Sequence, residues 1–311
     1  MTDVRVRDIF TRGLFEGEVR FSEPMSRHTS LRIGGPADVF AVPENVRSLA
    51  YLSNALREES VQFFALGSGT NVLVRDGGID GAVVCMSAFR HIERRAEDSD
   101  AVTLSVGTGT LLQRLVLFSR DNGYAGIEGL AGIPGTVGGA ICGNAGSFGY
   151  EMKDVLVSVD VMRPGGEIER VPAERLSFGY RTSSLARNDL VVSAEVRLLK
   201  GRPEDVAGRI EQFLGEKRSR QPIWEASAGC VFRNPAGRSA GRLIEEAGCK
   251  GLRIGDVVVS TLHANFFINV GGATAADFIA LMREVAARVK ETHGVLLEPE
   301  IRIVGRDDGD E

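Results

Sequence analysis

The run GLAGIPGTVGGAICGNAGSFGY, Gly129 to Tyr150, carries no charge over 22 residues in a chain of which 25% is charged. About 20 uncharged residues can span a bilayer, and Gly135, Gly139 and Gly143 even fall at GxxxG spacing. The content argues against a span: Pro134 and the glycines weaken any helix, Asn144 and Ser147 are polar, and little Leu, Ile or Phe is present to hold the run in lipid. Gly126, Gly129, Gly132 and Gly135 repeat every third residue, but the period breaks at once, and a collagen helix needs it sustained. The remaining reading is a loop system whose backbone comes very close to a large polar ligand, because N–H groups cleared of side chains can surround phosphates.

A chain of 311 residues has room for two or three domains and a substantial core. The N-terminal MTDVRVRDIFTRGLF mixes acidic and basic residues and has no continuous apolar region, so no signal peptide is expected and the cytoplasm is the expected location. A net charge of −5 gives no general attraction to nucleic acid or an anionic membrane, so neither is expected as a partner. Cys85, Cys142, Cys230 and Cys249 show no CxxC or metal-ligand spacing, and the four histidines never pair at zinc spacing. Free thiols and no metal are therefore expected. Glycine is the compositional outlier, with 38 residues, well above the usual ~7%.

Strand-like runs recur at 37–43, 62–68, 81–87 and 102–108, each closed by Gly, Ser or Pro. Between the first two, Val46, Leu49, Leu52 and Leu56 fall at helical spacing. A second helix is expected over 111–123, ended by Asn122 and Gly123. Arg163-Pro164-Gly165-Gly166 reads as the turn of a hairpin, and 190–199 as a further strand. Residues 203–222 form a helix ending in the basic cluster Lys217, Arg218 and Arg220, where cations offset the helix dipole. The C-terminal part holds a short helix at 240–248, a strand at NFFINV, a long helix from Thr274 with Phe278, Leu281, Val285 and Val289 as its buried stripe, a last strand EIRIVG and an acidic tail.

The glycine loops do not make a Rossmann fingerprint. LGSGTNVLV has Gly67 and Gly69 but Val72 in the third position, and VGTGTLLQ has Gly107 and Gly109 but Leu112. No phosphate-binding GxxxxGK[ST] is present either. In chain order, however, RIGGPAD, LGSGTNVLV and GLAGIPGTVGGAICGNAG together resemble the FAD-binding domain of the vanillyl-alcohol-oxidase-like (PCMH-type) superfamily. LSFGYRTS, AGCVFRNPAG, AGRLIEEAGCKG, HANFFIN and LEPEIRIVG extend the resemblance, within that superfamily, to the UDP-N-acetylenolpyruvoylglucosamine reductase family over nearly the whole chain.

The resemblance implies an α+β protein: a FAD-binding domain over 1–200, in two subdomains of about 1–66 and 67–200, and a substrate-binding α+β domain over 201–311 whose last strand returns to the first. It implies noncovalent FAD, its diphosphate held by the main chain of Gly67, Ser68, Gly69, Thr70 and Asn71, with Val72 following, and by Ile133, Pro134, Gly135, Thr136, Gly138 and Gly139, with Gly143 and Ala145 beyond them. It implies NADPH as hydride donor, UDP-N-acetylglucosamine enolpyruvate as substrate, UDP-N-acetylmuramate for peptidoglycan synthesis as product, and a monomer.

Reducing an enol ether double bond requires a hydride at one carbon, stabilisation of the charge left at the other, and an acid for the last proton. By resemblance Arg181 supplies the fixed cation, Glu300 polarises the intermediate and Cys230 donates the proton. Each also has a plain structural alternative: a surface ion pair, a strand-edge charge and a small buried side chain. The family more often has serine at the positions of Cys230 and Thr70, and hydroxyl and thiol are both proton donors. Arg220 matches the residue expected on the UDP diphosphate, and Tyr180, Asn234 and His263 fall at substrate-side positions, whereas His28 and His293 read as structural. The chain resembles the shorter class of the family, which lacks the loop that brings a tyrosine over the substrate. Two other functions compete: an alcohol or hydroxy-acid oxidase or dehydrogenase on the same flavin fold, and a flavin- or UDP-sugar-binding module without turnover.

Overall fold

A computed structural model describes residues 4–185 and 189–309. The final residues of the acidic tail, 310 and 311, lie outside them. The chain divides into two compact units. Unit 1 comprises Met1–Phe21, Val39–Ser68 and Gly81–Glu216, and unit 2 comprises Ser22–Asp38, Gly69–Asp80 and Lys217–Glu311.

In unit 1, Leu156–Met162 and Ala101–Gly107 are buried along nearly their whole length, and Leu190–Lys200 is buried along most of its length, being exposed mainly at its end, so these strands lie in the core. With Ile168–Pro172 and Ile92–Glu97 at the edges, and Tyr124–Ala125 beside Leu190–Lys200, they make a six-stranded sheet whose pairings are all antiparallel. The hairpin at Arg163 to Gly166 joins Leu156–Met162 to the edge strand Ile168–Pro172, as expected. Helix Leu112–Asn122 covers the sheet with Leu112, Leu115 and Val116, and ends at Gly123, whose φ of +68° is the left-handed cap that glycine permits.

A second sheet runs in the order Gly17–Pro24, Pro36–Pro43, Ile79–Cys85, Phe63–Leu66, the last two parallel. Helix Val46–Glu58, capped by Asn45, crosses between Pro36–Pro43 and Phe63–Leu66. Leu49, Leu52 and Leu56 are buried in it as their spacing predicts, whereas Val46 is exposed, because it sits in the first turn, where the apolar stripe has not yet reached the core.

Unit 2 is built on helix Ala275–His293. Its start is a capping box in which Thr274 accepts from the Asp277 N–H and Asp277 accepts from the Thr274 N–H, and the Asp76 carboxylate takes the N–H groups of Ala275 and Ala276. Phe278, Leu281, Val285 and Val289 are all buried, packed with Ala240–Glu246 and the short sheet Arg253–Ile254, Val257–Val259, Phe267–Asn269. The last strand, Arg302–Val304, pairs in parallel with Val72–Val74.

Candidate active site

The first glycine loop leaves strand Phe63–Leu66 at Gly67 and enters strand Val72–Val74 at the buried Val72. Among the described residues, none of the five backbone N–H groups from Gly67 to Asn71 donates to an acceptor of the chain. Gly69 is buried with φ +60°, and a left-handed residue is what turns successive N–H groups into an anion-binding concavity. A side chain on Gly69 would run into the carbonyl oxygen of His28, and one on Gly67 into the hydroxyl of Thr136. Both glycines are therefore required by the chain's own packing as well as by any ligand.

The second loop is more committed. The N–H groups of Ile133, Val137 and Gly138 already donate to the carbonyls of Leu130, Thr110 and Thr108. Those of Gly135 and Thr136 have no acceptor among the described residues, so the N–H groups this loop holds open lie beside the exposed Pro134. Gly138 lies where a Cβ would be 2.9 Å from Thr108 Cβ, but nothing in the chain approaches the position of a Cβ on Gly139 closer than 3.6 Å. Gly139, exposed in the first turn of helix Val137–Cys142, faces open space. Thr136 caps Val137–Cys142, Gly143 ends it by donating to Gly139, and Ala145 packs partly buried against the core. In each loop, N–H groups without an acceptor in the chain are the kind of donor that binds an anion.

The other half of the uncharged run holds Arg181. Tyr180 and Arg181 are the two turn residues between Phe178–Gly179 and Thr182–Ser183, with Phe178 opposite Ser183 and Gly179 opposite Thr182. Arg181 adopts φ +57°, its Nη1 donates to the Gly146 carbonyl at 2.9 Å, and its guanidinium lies 5.5 Å from the centre of the Tyr180 ring, which is largely exposed. Asn144, 2% exposed, donates to the Gly179 carbonyl at 3.2 Å and to Glu151 at 2.9 Å, and accepts from the Lys153 N–H. The hydrogen bond from Lys153, then that from Asn144, holds the Glu151 carboxyl below the usual carboxylate range. Asn144 was not singled out from the sequence for this, because its partners lie 7 and 35 residues away.

Cys230 and Glu300 belong to unit 2. Cys230, half-buried, is bridged to Phe266, and the neighbouring Val231 donates to the Asn265 carbonyl. The Glu300 N–H donates to the Val231 carbonyl at 2.7 Å, so the backbones carrying the thiol and the carboxyl run side by side. Asn71, from the first glycine loop, donates through its side chain to the Glu300 carbonyl and accepts the Arg302 N–H on its own carbonyl. Asn265, 1% exposed, clamps Phe232 by both edges of its amide: Nδ2 donates to the Phe232 carbonyl at 2.7 Å and Oδ1 accepts the Phe232 N–H at 2.9 Å.

The remaining substrate-side positions differ in setting. His263 is half-buried against Phe266, burial pushes its pKa below the ordinary value, and its Nδ1 lies 3.3 Å from the Asn265 backbone nitrogen. Asn234, exposed, accepts the Ala240 N–H at the start of helix Ala240–Glu246. Arg220 is the exposed last residue of Pro203–Arg220. Of the basic cluster expected at that helix end, Arg218 is also exposed but Lys217 is only 4% exposed, so it is not a solvated cation of the helix terminus. No group of three or more metal-ligating side chains occurs among the described residues.

Residues 37–172 match the family described as FAD binding domain. Residues 221–304 match the one described as UDP-N-acetylenolpyruvoylglucosamine reductase, C-terminal domain. The chain is 40% identical over 291 residues to the UDP-N-acetylenolpyruvoylglucosamine reductase of Syntrophus aciditrophicus (strain SB), covering 94% of this chain and 93% of that protein. It is 41% identical over 291 residues to the reductase of Geotalea uraniireducens (strain Rf4), covering 94% and 95%. The crystal structure of the UDP-N-acetylenolpyruvylglucosamine reductase from Thermus caldophilus matches with a TM-score of 0.77 and 35% identity, over 93% of this chain and 99% of that one. Identity of this order along almost the full length of both partners, with the glycine loops and the thiol and carboxyl strands in place, means that the chain belongs to the UDP-N-acetylenolpyruvoylglucosamine reductase family.

Proposed function

We propose that the chain reduces the enolpyruvyl double bond of UDP-N-acetylglucosamine enolpyruvate, with Arg181, Glu300 and Cys230 as its catalytic residues and NADPH as the source of electrons. The observation that carries this reading is the pairing of a thiol strand with a carboxyl strand, Glu300 donating its N–H to the residue next to Cys230. The open N–H groups of Gly67 to Asn71, with those of Gly135 and Thr136, would hold the FAD diphosphate. Bound FAD, once reduced, supplies the hydride to one carbon of the double bond.

The chain's own residues do the rest. Arg181 sets a permanent positive charge, with a planar fork of donors, against the substrate carboxylate and the negative charge that grows as the double bond is lost. Glu300 hydrogen-bonds the same charge-bearing group. The Cys230 thiol delivers a proton to the second carbon. Arg220 binds the UDP diphosphate in ground and transition states alike, so it acts on affinity. Tyr180 beside Arg181, Asn234 at the start of Ala240–Glu246, and His263 as a neutral N–H donor complete the substrate side. The protein acts as a monomer without nucleic acid or membrane; no helix among the described residues is long and apolar enough to cross a membrane.

An anaerobic spectrum tests the whole reading. The protein purifies yellow, NADPH bleaches it, and the enolpyruvyl sugar nucleotide restores the colour without oxygen. A protein that cannot be reconstituted with FAD, or whose bleached flavin ignores the sugar nucleotide, removes it.

A further inference from the structure

Six non-glycine residues among those described have a φ in the left-handed region, and three of them, Asn144, Phe148 and Arg181, fall in unit 1 between the end of the uncharged run and the Tyr180–Arg181 turn. Such a residue costs ~1–3 kcal/mol and persists only where its surroundings over-determine it. Asparagine tolerates the region best, whereas arginine and phenylalanine do not.

The bonds that impose these conformations close a ring around Arg181. Gly146 and Glu151 face each other in a short hairpin, and the Gly146 carbonyl is the anchor of the Arg181 guanidinium. Asn144 reaches Glu151, which fixes that hairpin from one side, and it reaches the carbonyl of Gly179, two residues before Arg181, which fixes the turn from the other. Ser183 adds a weaker pin, donating from its hydroxyl to the Cys142 carbonyl. The buried amide of Asn144 thus holds both the backbone that carries Arg181 and the carbonyl on which its side chain rests.

We propose that Asn144 is the positioning residue of Arg181, which fixes where the guanidinium stands before the substrate's charge develops. The proposal rests on the reading of Arg181 as the residue facing that charge. It also explains why the sequence keeps an asparagine at 144 and bulky residues at 148 and 181 where glycine would relieve the backbone: side chains are needed at those places.

The test uses the holoenzyme in its two half-reactions under single-turnover, anaerobic conditions, with Asn144→Gly, Arg181→Lys and the double variant. Glycine accepts the backbone of position 144 without strain and removes only the amide. Misplacement of a reacting group by about 1 Å can cost ~10²-fold, so reoxidation by the enolpyruvyl sugar should slow by ~10–100-fold in Asn144→Gly, while bleaching by NADPH stays near the wild-type rate. The double variant should reoxidise no more slowly than Arg181→Lys, because a residue that acts through Arg181 has nothing left to position. Effects that multiply in the double variant, or a slowing of both half-reactions alike, overturn the proposal. If Arg181→Lys reoxidises at the wild-type rate, the reading of Arg181 itself fails. A wild-type rate in Asn144→Gly beside a slow Arg181→Lys removes the positioning role alone. Should Asn144→Gly not retain FAD, Ser183→Ala decides: a several-fold slowing confined to reoxidation supports the ring, and an unchanged rate overturns it.

Discussion

Arg181 in unit 1 stands in a turn and Cys230 in unit 2 follows one, and the two turns are made in different ways. Before Cys230 the left-handed position is Gly229, with φ +74° and no neighbour within 4 Å of where a side chain would stand. Cys230 to Arg233 then runs as extended chain, held by ladder bonds to Asn265, Glu298 and Glu300. At Arg181 the left-handed position is the arginine itself, and its support Asn144 is left-handed too. The thiol needs only a regular backbone to stand on. The guanidinium needs a specific aim at the end of a long flexible side chain, and side-chain clamps on a strained turn supply it. The difference teaches that the two sites should fail differently: unit 1 in rate with little loss of folding stability, unit 2 in rate at the thiol but in stability at its supports.

The largest effect is expected at Cys230, where the comparison can be broken most directly. Cys230→Ala removes the proposed proton donor, and general acid catalysis is worth ~10²–10⁴-fold, so sugar-dependent reoxidation should slow by that much while reduction by NADPH continues. Cys230→Ser keeps a hydroxyl on the same ladder and should retain much of the rate. It should also hold its rate to higher pH, since thiols titrate near ~8.5 and a thiolate has no proton to give. Reoxidation of Cys230→Ala at the wild-type rate would return Cys230 to a packing role.

Next in size is Asn265→Ala. Both backbone groups of the buried Phe232 lose their partner, and each buried group left unsatisfied costs ~1–3 kcal/mol. Denaturant unfolding should show a loss of ~2–5 kcal/mol, with both half-reactions still running in the cold. A variant that is as stable as wild type but slow only in reoxidation would show that unit 2 is tuned in the same way as unit 1, and the contrast would collapse.

The elements of both units were legible because each rests on a local signal: the spacing of Leu49, Leu52 and Leu56, the capping box at Thr274 and Asp277, and the left-handed glycine at 123. Within the uncharged run, read from the sequence as a close backbone approach, Gly135 and Thr136 hold their N–H groups open, and Gly67 to Asn71 do so in the first loop. What escaped was set by distant partners. Nothing near Asn144 announces Gly179, nothing near Asn265 announces Phe232, and nothing in Lys217-Arg218-Ser219-Arg220 tells the buried lysine from the exposed arginines. An asparagine in a glycine-rich loop is ordinarily a turn former, and only tertiary structure shows which carbonyl its amide will take.

Arg220 sharpens the comparison on the side of binding. It is exposed, so the proposed contact with a phosphate is screened and modest, and Arg220→Ala should raise KM for the UDP sugar by ~5–30-fold with kcat unchanged. The gap should narrow in high salt. Normal affinity in the variant would leave Arg220 as part of a solvated helix end.

The smallest effect separates the two regions by pH. His263 has its pKa lowered by burial, with a further lowering from Lys250 and an opposing pull from its own backbone hydrogen bond and from Glu245. A histidine with a folded-state pKa below its unfolded value of ~6.5 contributes nothing to pH dependence while both states are neutral. As pH falls through ~6.5 the unfolded chain takes the proton first, so stability is lost from there down to the lower folded-state pKa. Glu151 has the same direction of shift on a carboxyl: its contribution is present above the ordinary carboxylate pKa and is lost as pH falls through the lower folded-state value. Unit 2 should therefore weaken in a window just below neutrality that leaves the Glu151 clamp of unit 1 intact. Unfolding of the wild type and of His263→Gln at pH 7.5 and 5.5 measures this: the wild type should lose more stability between the two than the variant does. Equal losses would mean that His263 takes its proton as readily in the folded state as in the unfolded one, and that its imidazole is not held neutral by its surroundings.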